Sequence, residues 1–277
     1  MSFRSNPLFN ISSALKPEAG SPPAPLLKLT LNPDLSISPK IAPEAQASLS
    51  YAYIHTDAQL NAALGDLGAP ERLYIDTEFQ SFSRNSPVVL SLIQVSGGGH
   101  TYVIDAMELD LGSNARLVSL FGRDGVEWVM HDANQDVDHL CNTLNLAPPR
   151  RLFDTQVAWS LLSADKSISL LNLTVRLCDA RLNKAHQAAT FIQRPLSKEI
   201  ISYAASDVPP LIVARAQLGA RLRELKLTER LYAESHQRLS PRAKARVTAA
   251  APEPITPAGA DNSLGGSLRR AWLKYIA

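Results

Sequence analysis

Asp76 and Glu78 stand two residues apart in Arg72-Leu73-Tyr74-Ile75-Asp76-Thr77-Glu78-Phe79, a segment that reads as a β-strand. Side chains alternate along a strand, so Leu73, Ile75 and Thr77 share one face while Tyr74, Asp76 and Glu78 share the other. Asp136, Tyr203 and Asp207 follow in later segments, each where its side chain can reach a common cleft. Four carboxylates converging on one spot repel strongly unless divalent cations lie between them, so the chemistry open to this set is metal-assisted. A lone D-x-E at a strand end equally fits a solvated turn or a helix cap; only the set points to a site.

The elements that must position these groups are legible in outline. After the apolar run Val126–Met130 comes His131, and Asp132-Ala133-Asn134-Gln135 has the form of an Asp-led capping box, with Asp132 as the cap. The helix it opens buries Val137, Leu140, Cys141 and Leu144, and Asp136, one turn before Leu140, borders that buried stripe. Asp136 also fits as an acid favoured by the dipole in a first helical turn. Ser197 caps a helix running from Lys198, which places Tyr203 and Asp207 four residues apart on one face. Pro209-Pro210 predict a break at Val208 and a new helix through Leu211–Ala233, leaving Asp207 at a helix end where carbonyl oxygens are free. Val88–Val95 and His100–Asp105 read as a hairpin around Gly97-Gly98-Gly99. That glycine run is not a phosphate loop, since no helix opens after it and no Lys-Ser or Lys-Thr follows.

Together, Asp76-Thr77-Glu78-Phe79, His131 through Asp136, and Tyr203-Ala204-Ala205-Ser206-Asp207 resemble the DEDDy branch of the DnaQ-like 3′–5′ exonucleases, most closely the ribonuclease D catalytic domain. Leu92-Ile93-Gln94-Val95, Phe153-Asp154-Thr155-Gln156, Leu182-Asn183-Lys184 and Arg194-Pro195-Leu196 share that texture, and the resemblance covers about residues 70–215. It implies an α/β, RNase H-like fold: a mixed five-stranded sheet flanked by helices. It also implies two Mg²⁺ (or Mn²⁺) ions, with Asp76 bridging both, Glu78 and Asp207 on the ion that activates water, and Asp136 supporting the second. Tyr203 would orient the attacking water. The implied activity is hydrolysis from the 3′ end of RNA, releasing 5′-nucleoside monophosphates. A DNA-directed exonuclease of the same fold is the alternative, and a catalytically weak nucleic-acid-binding module a third.

Substrate contacts are less specified. Lys184 and Arg194 could hold phosphates or be ordinary solvated cations. Phe79 could stack on a terminal base, as could Phe82 unless it is core. His131 could donate into the cleft or be a satisfied structural histidine.

Residues 1–50 are rich in Pro, Ser and Ala and read as a disordered arm; residues 51–236 read as the exonuclease domain; residues 237–277 read as a Pro/Ala-rich linker with a short basic-apolar tail. Cys141 and Cys178 fall in apolar helical patterns and imply no disulfide framework, which with the lack of a bilayer-spanning run predicts a cytoplasmic protein. Arg4 and the serines near it, with no acid before Glu18, carry a minor organelle-targeting flavour. Residues 51–220 hold 13 basic against 18 acidic side chains, and residues 221–277 hold 11 against 5. The acidic core suits cation loading; the basic C-terminal segment could supply attraction for phosphate.

Overall fold

The strand that carries Asp76 and Glu78 lies inside a six-stranded sheet. In the computed structural model, which describes residues 50–82, 86–178 and 190–248, the strands are β1 (Tyr51–Ile54), β2 (Arg72–Ser81), β3 (Val88–Ser96), β4 (Thr101–Asp105), β5 (Glu127–Met130) and β6 (Arg151–Asp154). Their order across the sheet is β1-β4-β3-β2-β5-β6. The hairpin neighbours β2–β3 and β3–β4 are antiparallel, whereas β1–β4, β2–β5 and β5–β6 are parallel. The five expected strands are joined by a sixth, β1, whose four residues add to the edge of β4. So short a strand carries too little periodicity to be read without its partner.

Helices cover both faces. Against one pack α1 (Asp57–Leu67), α2 (Ala115–Gly122) and α3 (Asn134–Thr143), burying Leu73, Ile75, Ile93, Val95, Trp128 and Leu140. Against the other pack α4 (Thr155–Leu162), α5 (Leu170–Cys178), α6 (Lys198–Ala205), α7 (Val208–Glu224) and α8 (Thr228–Arg238), over Tyr74, Val129, Phe153, Leu92 and Val103. β3 is covered on both sides, and it is buried from Leu90 through Ser96. Among the described residues no helix is long and apolar enough to cross a membrane.

Two expectations about the C-terminal helices change. The chain breaks at Ser206–Asp207 instead of Val208; α7 starts at Val208, so both prolines fall in its first turn, where no N–H is needed. That helix ends at Glu224, and α8 follows as a separate element after Lys226, whose φ is 56°. The folded unit also runs past residue 236. A ninth helix, α9 (Pro241–Thr248), packs on α3, with Leu239 and Ala243 inside the core. Ser240 anchors its start, donating to Asp138 at 2.8 Å and accepting the Ala243 N–H at 3.0 Å. Among the side chains described in Pro241-Arg242-Ala243-Lys244-Ala245, Ala243 is the buried one, so the segment shows little apolar stripe. The arm before residue 50 and the tail after residue 248 lie outside the described residues.

Where β5 begins, the fully buried Glu127 gathers three arginines. Arg215 of α7 donates through Nε and Nη2 (2.7 and 3.1 Å), Arg72 through Nε (3.0 Å) and Arg151 through Nη2 (3.5 Å). Tyr232 of α8 adds its hydroxyl. Burial alone would raise the Glu127 carboxyl, but Arg215 and its neighbours hold it below the usual glutamate value. Arg215 lies over the Phe153 ring at 4.4 Å and along its own helix past Gly219, where a Cβ would stand 2.1 Å from Nη1.

Leu239→Ala should lower the unfolding free energy by about 2–5 kcal/mol, because it opens a cavity where α9 meets the core. Urea unfolding measures this; an unchanged midpoint would mean that the segment after α8 contributes nothing to the fold.

Candidate active site

Asp76 and Glu78 share one face in the middle of β2, just before a register shift against β3 between Glu78 and Phe79; the strand runs on to Ser81. Asp207 meets them from the junction of α6 and α7. Ligand oxygens of the three lie within 4.8 Å of one another, all on half-buried side chains. Ser206 and Asp207 keep right-handed helical backbone (φ −75° and −82°), so the one-turn relation of Tyr203 to Asp207 survives the helix break. Asp207 follows the C-cap Ser206 of α6, at the helix end expected, and is at the same time the N-cap residue of α7, so the positive end of the α7 dipole also lies beside the acid cluster.

Asp136 is held apart from the tight trio. It sits in the first turn of α3 and accepts a hydrogen bond from Thr77 Oγ1 at 2.5 Å. Thr77 faces away from Asp76 and Glu78, and its hydroxyl aims Asp136 toward β2. The four acids still feel one another. Burial, then the charges of Asp207, Asp136 and Glu78, push the Asp76 carboxyl well above its ordinary value. Burial and the charges of Asp207 and Asp136 raise Glu78 to about 8. Burial raises Asp136 to about 6, against the opposing hydrogen bond from Thr77. The Tyr203 phenol is raised above its ordinary value by burial and then by Asp207, Glu78 and Asp76, so it shares the same field.

The start of α3 is fixed differently from the expected capping box. Asp132 adopts φ 52°, Ala133 is the N-cap residue, and no side chain on α3's own segment caps it. Asp154, at the end of β6, accepts instead from the N–H groups of Asp132 and Ala133 (3.0 Å each) and from Gln156 and Val157 of its own helix (2.8 and 3.4 Å). One carboxylate thus ties α3 to α4, and through α3 it sets Asp136. Asp154 stands before Thr155 as an ordinary helix cap, so the sequence shows its local bonds and hides those to residues 21 and 22 positions away.

The substrate candidates divide. Phe79 packs its ring on His139 of α3, centroids 4.4 Å apart, at the rim of the acid site. Phe82 is 46% exposed and is therefore not core. His131 does not face the cleft. Its Nε2 bonds the Ile168 carbonyl (3.0 Å), which can only accept, so Nε2 carries the proton and Nδ1 accepts from Thr155 Oγ1 (2.8 Å). Burial lowers its pKa, in keeping with a neutral ring that has both nitrogens engaged.

Arg194 is no phosphate contact either. Nε and Nη2 hold the two oxygens of buried Asp105 (2.6 and 2.8 Å), Nη1 donates to the carbonyls of Phe191 and Gln193 (2.6 and 3.0 Å), and Nη2 reaches Ser91 Oγ (3.1 Å). With all five N–H groups engaged and the side chain 10% exposed, Arg194 fixes the segment leading into α6 to the sheet. Lys184 and the Leu182-Asn183-Lys184 run lie outside the described residues.

Such a mixed sheet, with acids gathered from a central strand and from a helix start, has the architecture of RNase H-like nuclease domains. A family profile described as 3′-5′ exonuclease matches residues 51–223, and the chain belongs to that family. Ribonuclease D of Acidiphilium cryptum is 35% identical over 171 residues, which cover 61% of this chain and 42% of the relative. Ribonuclease D of Nitrobacter hamburgensis is 30% identical over 179 residues, covering 62% and 44%. The chain therefore spans less than half the length of these relatives. Among solved structures, Escherichia coli RNase D superposes with a TM-score of 0.64 at 22% identity, over 76% of this chain and 52% of that one. The catalytic core of RRP6 from Trypanosoma brucei gives 0.62 at 23% identity, over 72% and 57%; at these identities the likeness is one of fold.

The raised carboxyls set a pH dependence. Between the ordinary glutamate value of 4.5 and about 8, the folded chain holds a proton on Glu78 that the unfolded chain has released. Stability of the metal-free protein should therefore fall as pH rises through that window. Melting temperatures from pH 5 to 8.5 test this, with Glu78→Gln expected to flatten the profile. Identical profiles for the two chains would show that Glu78 ionises freely.

Proposed function

We propose that the domain is a metal-dependent 3′–5′ exonuclease that hydrolyses phosphodiester bonds from the 3′ end of RNA and releases 5′-nucleoside monophosphates. The observation that carries this reading is the convergence of Asp76, Glu78 and Asp207 within 4.8 Å, with Asp136 and Tyr203 in the same field. The donor set fits hard divalent cations: it is all carboxylate oxygen, and its raised carboxyls mark a place short of positive charge. Two Mg²⁺ or Mn²⁺ ions bound there would lower the pKa of a bound water, easing formation of hydroxide near neutral pH, and stabilise the leaving oxygen.

The chain's own groups then have separable tasks. Asp76, Glu78 and Asp207 would hold the cations, which would acidify the attacking water. Asp136, aimed by Thr77, would support that set. Tyr203 keeps its proton at neutral pH, because burial and three carboxylates disfavour phenolate; its Oη–H can orient the attacking water but cannot abstract the water's proton. The name Ribonuclease D among the relatives, and a structural neighbour of that name from Trypanosoma brucei in complex with the RNA U12, favour RNA over DNA.

End-labelled RNA and DNA of matched sequence, incubated with Mg²⁺ or Mn²⁺, should separate the substrates: RNA shortens progressively from its 3′ end and DNA more slowly. Asp136→Asn should reduce hydrolysis at least about a hundredfold in a folded protein, and Tyr203→Phe by about a hundredfold with cation binding intact. Internal cleavage of the label, or wild-type rates in both variants, would defeat the proposal.

A further inference from the structure

On β3, Leu92, Gln94 and Ser96 point to the face covered by α6 and α7. Gln94 pairs directly across the strands with Asp76 of β2 and with Val103 of β4, so its side chain stands on Asp76's own face of the sheet. It is 0% exposed. Neither its Nε2 nor its Oε1 has a hydrogen-bond partner. Overhead, α6 packs on β4 and α7 on β3, so the amide lies beneath the junction that carries Tyr203 and Asp207.

A primary amide buried with both ends unpaired is a standing cost to the fold, and a methionine or leucine would fill the same space without it. Its neighbour has the complementary need. Asp76 accepts the backbone N–H of Thr77, yet it sits among three other acids and is short of donors. Side chains of directly opposed strand residues start about 4.5–5.5 Å apart at Cβ, within reach of a side chain with three torsions.

We propose that Gln94 is a positioning residue of the acid site. In the cation-loaded site its Nε2–H would donate to an Asp76 oxygen, a bond the metal-free structure lacks, and so fix the carboxylate in its ligating orientation. The inference rests on the cation-holding role proposed for the acids and goes beyond it by assigning a residue that carries no charge and touches no cation. A partner that orients a ligating group in this way typically changes metal affinity by 10- to 100-fold.

The test titrates Mn²⁺ alone into wild-type, Gln94→Met and Asp76→Asn chains by calorimetry, beside metal-free melting curves and 3′-end cleavage of labelled RNA. Gln94→Met should melt at or above the wild-type temperature without metal, bind Mn²⁺ about tenfold or more weakly, and recover cleavage as Mn²⁺ is raised. Asp76→Asn should abolish the same binding event. Wild-type Mn²⁺ affinity in a folded Gln94→Met chain would overturn the proposal while leaving the exonuclease reading intact. If wild-type chain binds Mn²⁺ in the predicted pattern but cleaves neither RNA nor DNA, the exonuclease reading fails and the positioning role stands. Gln94→Leu repeats the measurement with a second apolar side chain; a collapse of metal-free stability in both variants would make Gln94 a packing residue and also overturn the proposal.

Discussion

The structure is organised around a repulsion. Two like charges no more than 4.8 Å apart, at an effective dielectric of about 20, cost roughly 3.5 kcal/mol or more. Three such pairs among Asp76, Glu78 and Asp207 come to roughly 10 kcal/mol or more, the size of a whole domain's stability of about 5–15 kcal/mol. Without a cation the cluster cannot ionise fully and stay folded at its best, and the raised carboxyls are the expression of that limit. The scaffold moderates the strain with what neutral groups it has. The start of α7 turns its dipole toward Asp207, the Thr77 hydroxyl holds Asp136, and Tyr203 keeps its proton. None of these supplies a full positive charge, so the site suits a divalent ion.

What could be read in the sequence, and what could not, follows from the range of the interactions. The two-residue alternation of β2 places Asp76 and Glu78 together without any knowledge of the fold, and the stripe Val137, Leu140, Cys141 sets the face of α3 beside Asp136. Both are local patterns. Arg194 shows the opposite case: as a cation beside a proline it looks available, and only the fold reveals Asp105, 89 positions earlier, as its buried partner. The cap of α3 misled for the same reason, since Asp132 is the nearest acid in sequence while Asp154 is the one whose oxygens arrive. Helix α9 escaped because its described buried side chains, Leu239 just before it and Ala243 within it, are too few to make a period. Gln94 stood in a recognisable apolar run, but that it has no partner is a property of its surroundings and not of its neighbours in sequence.

Helix α7 joins two electrostatic opposites. Beside its start the acids of β2 crowd one another; at the start of β5 one buried acid, Glu127, is crowded by Arg72, Arg151 and Arg215. Asp207 begins α7 and Arg215 lies eight residues along it, about 12 Å by helical rise. Because Arg215 is clamped bidentately to Glu127 and laid on Phe153, the helix can neither slide nor turn without breaking a buried ion pair. That clamp holds Asp207, the N-cap residue of α7, against the charges that would drive it away from Asp76 and Glu78. The hydrophobic contacts of α7 with Val129 and Phe153 add affinity for the sheet, but apolar burial is non-directional and would tolerate a shifted register. A bidentate guanidinium–carboxylate pair would not. The fold thus uses a satisfied charge cluster to keep an unsatisfied one in place.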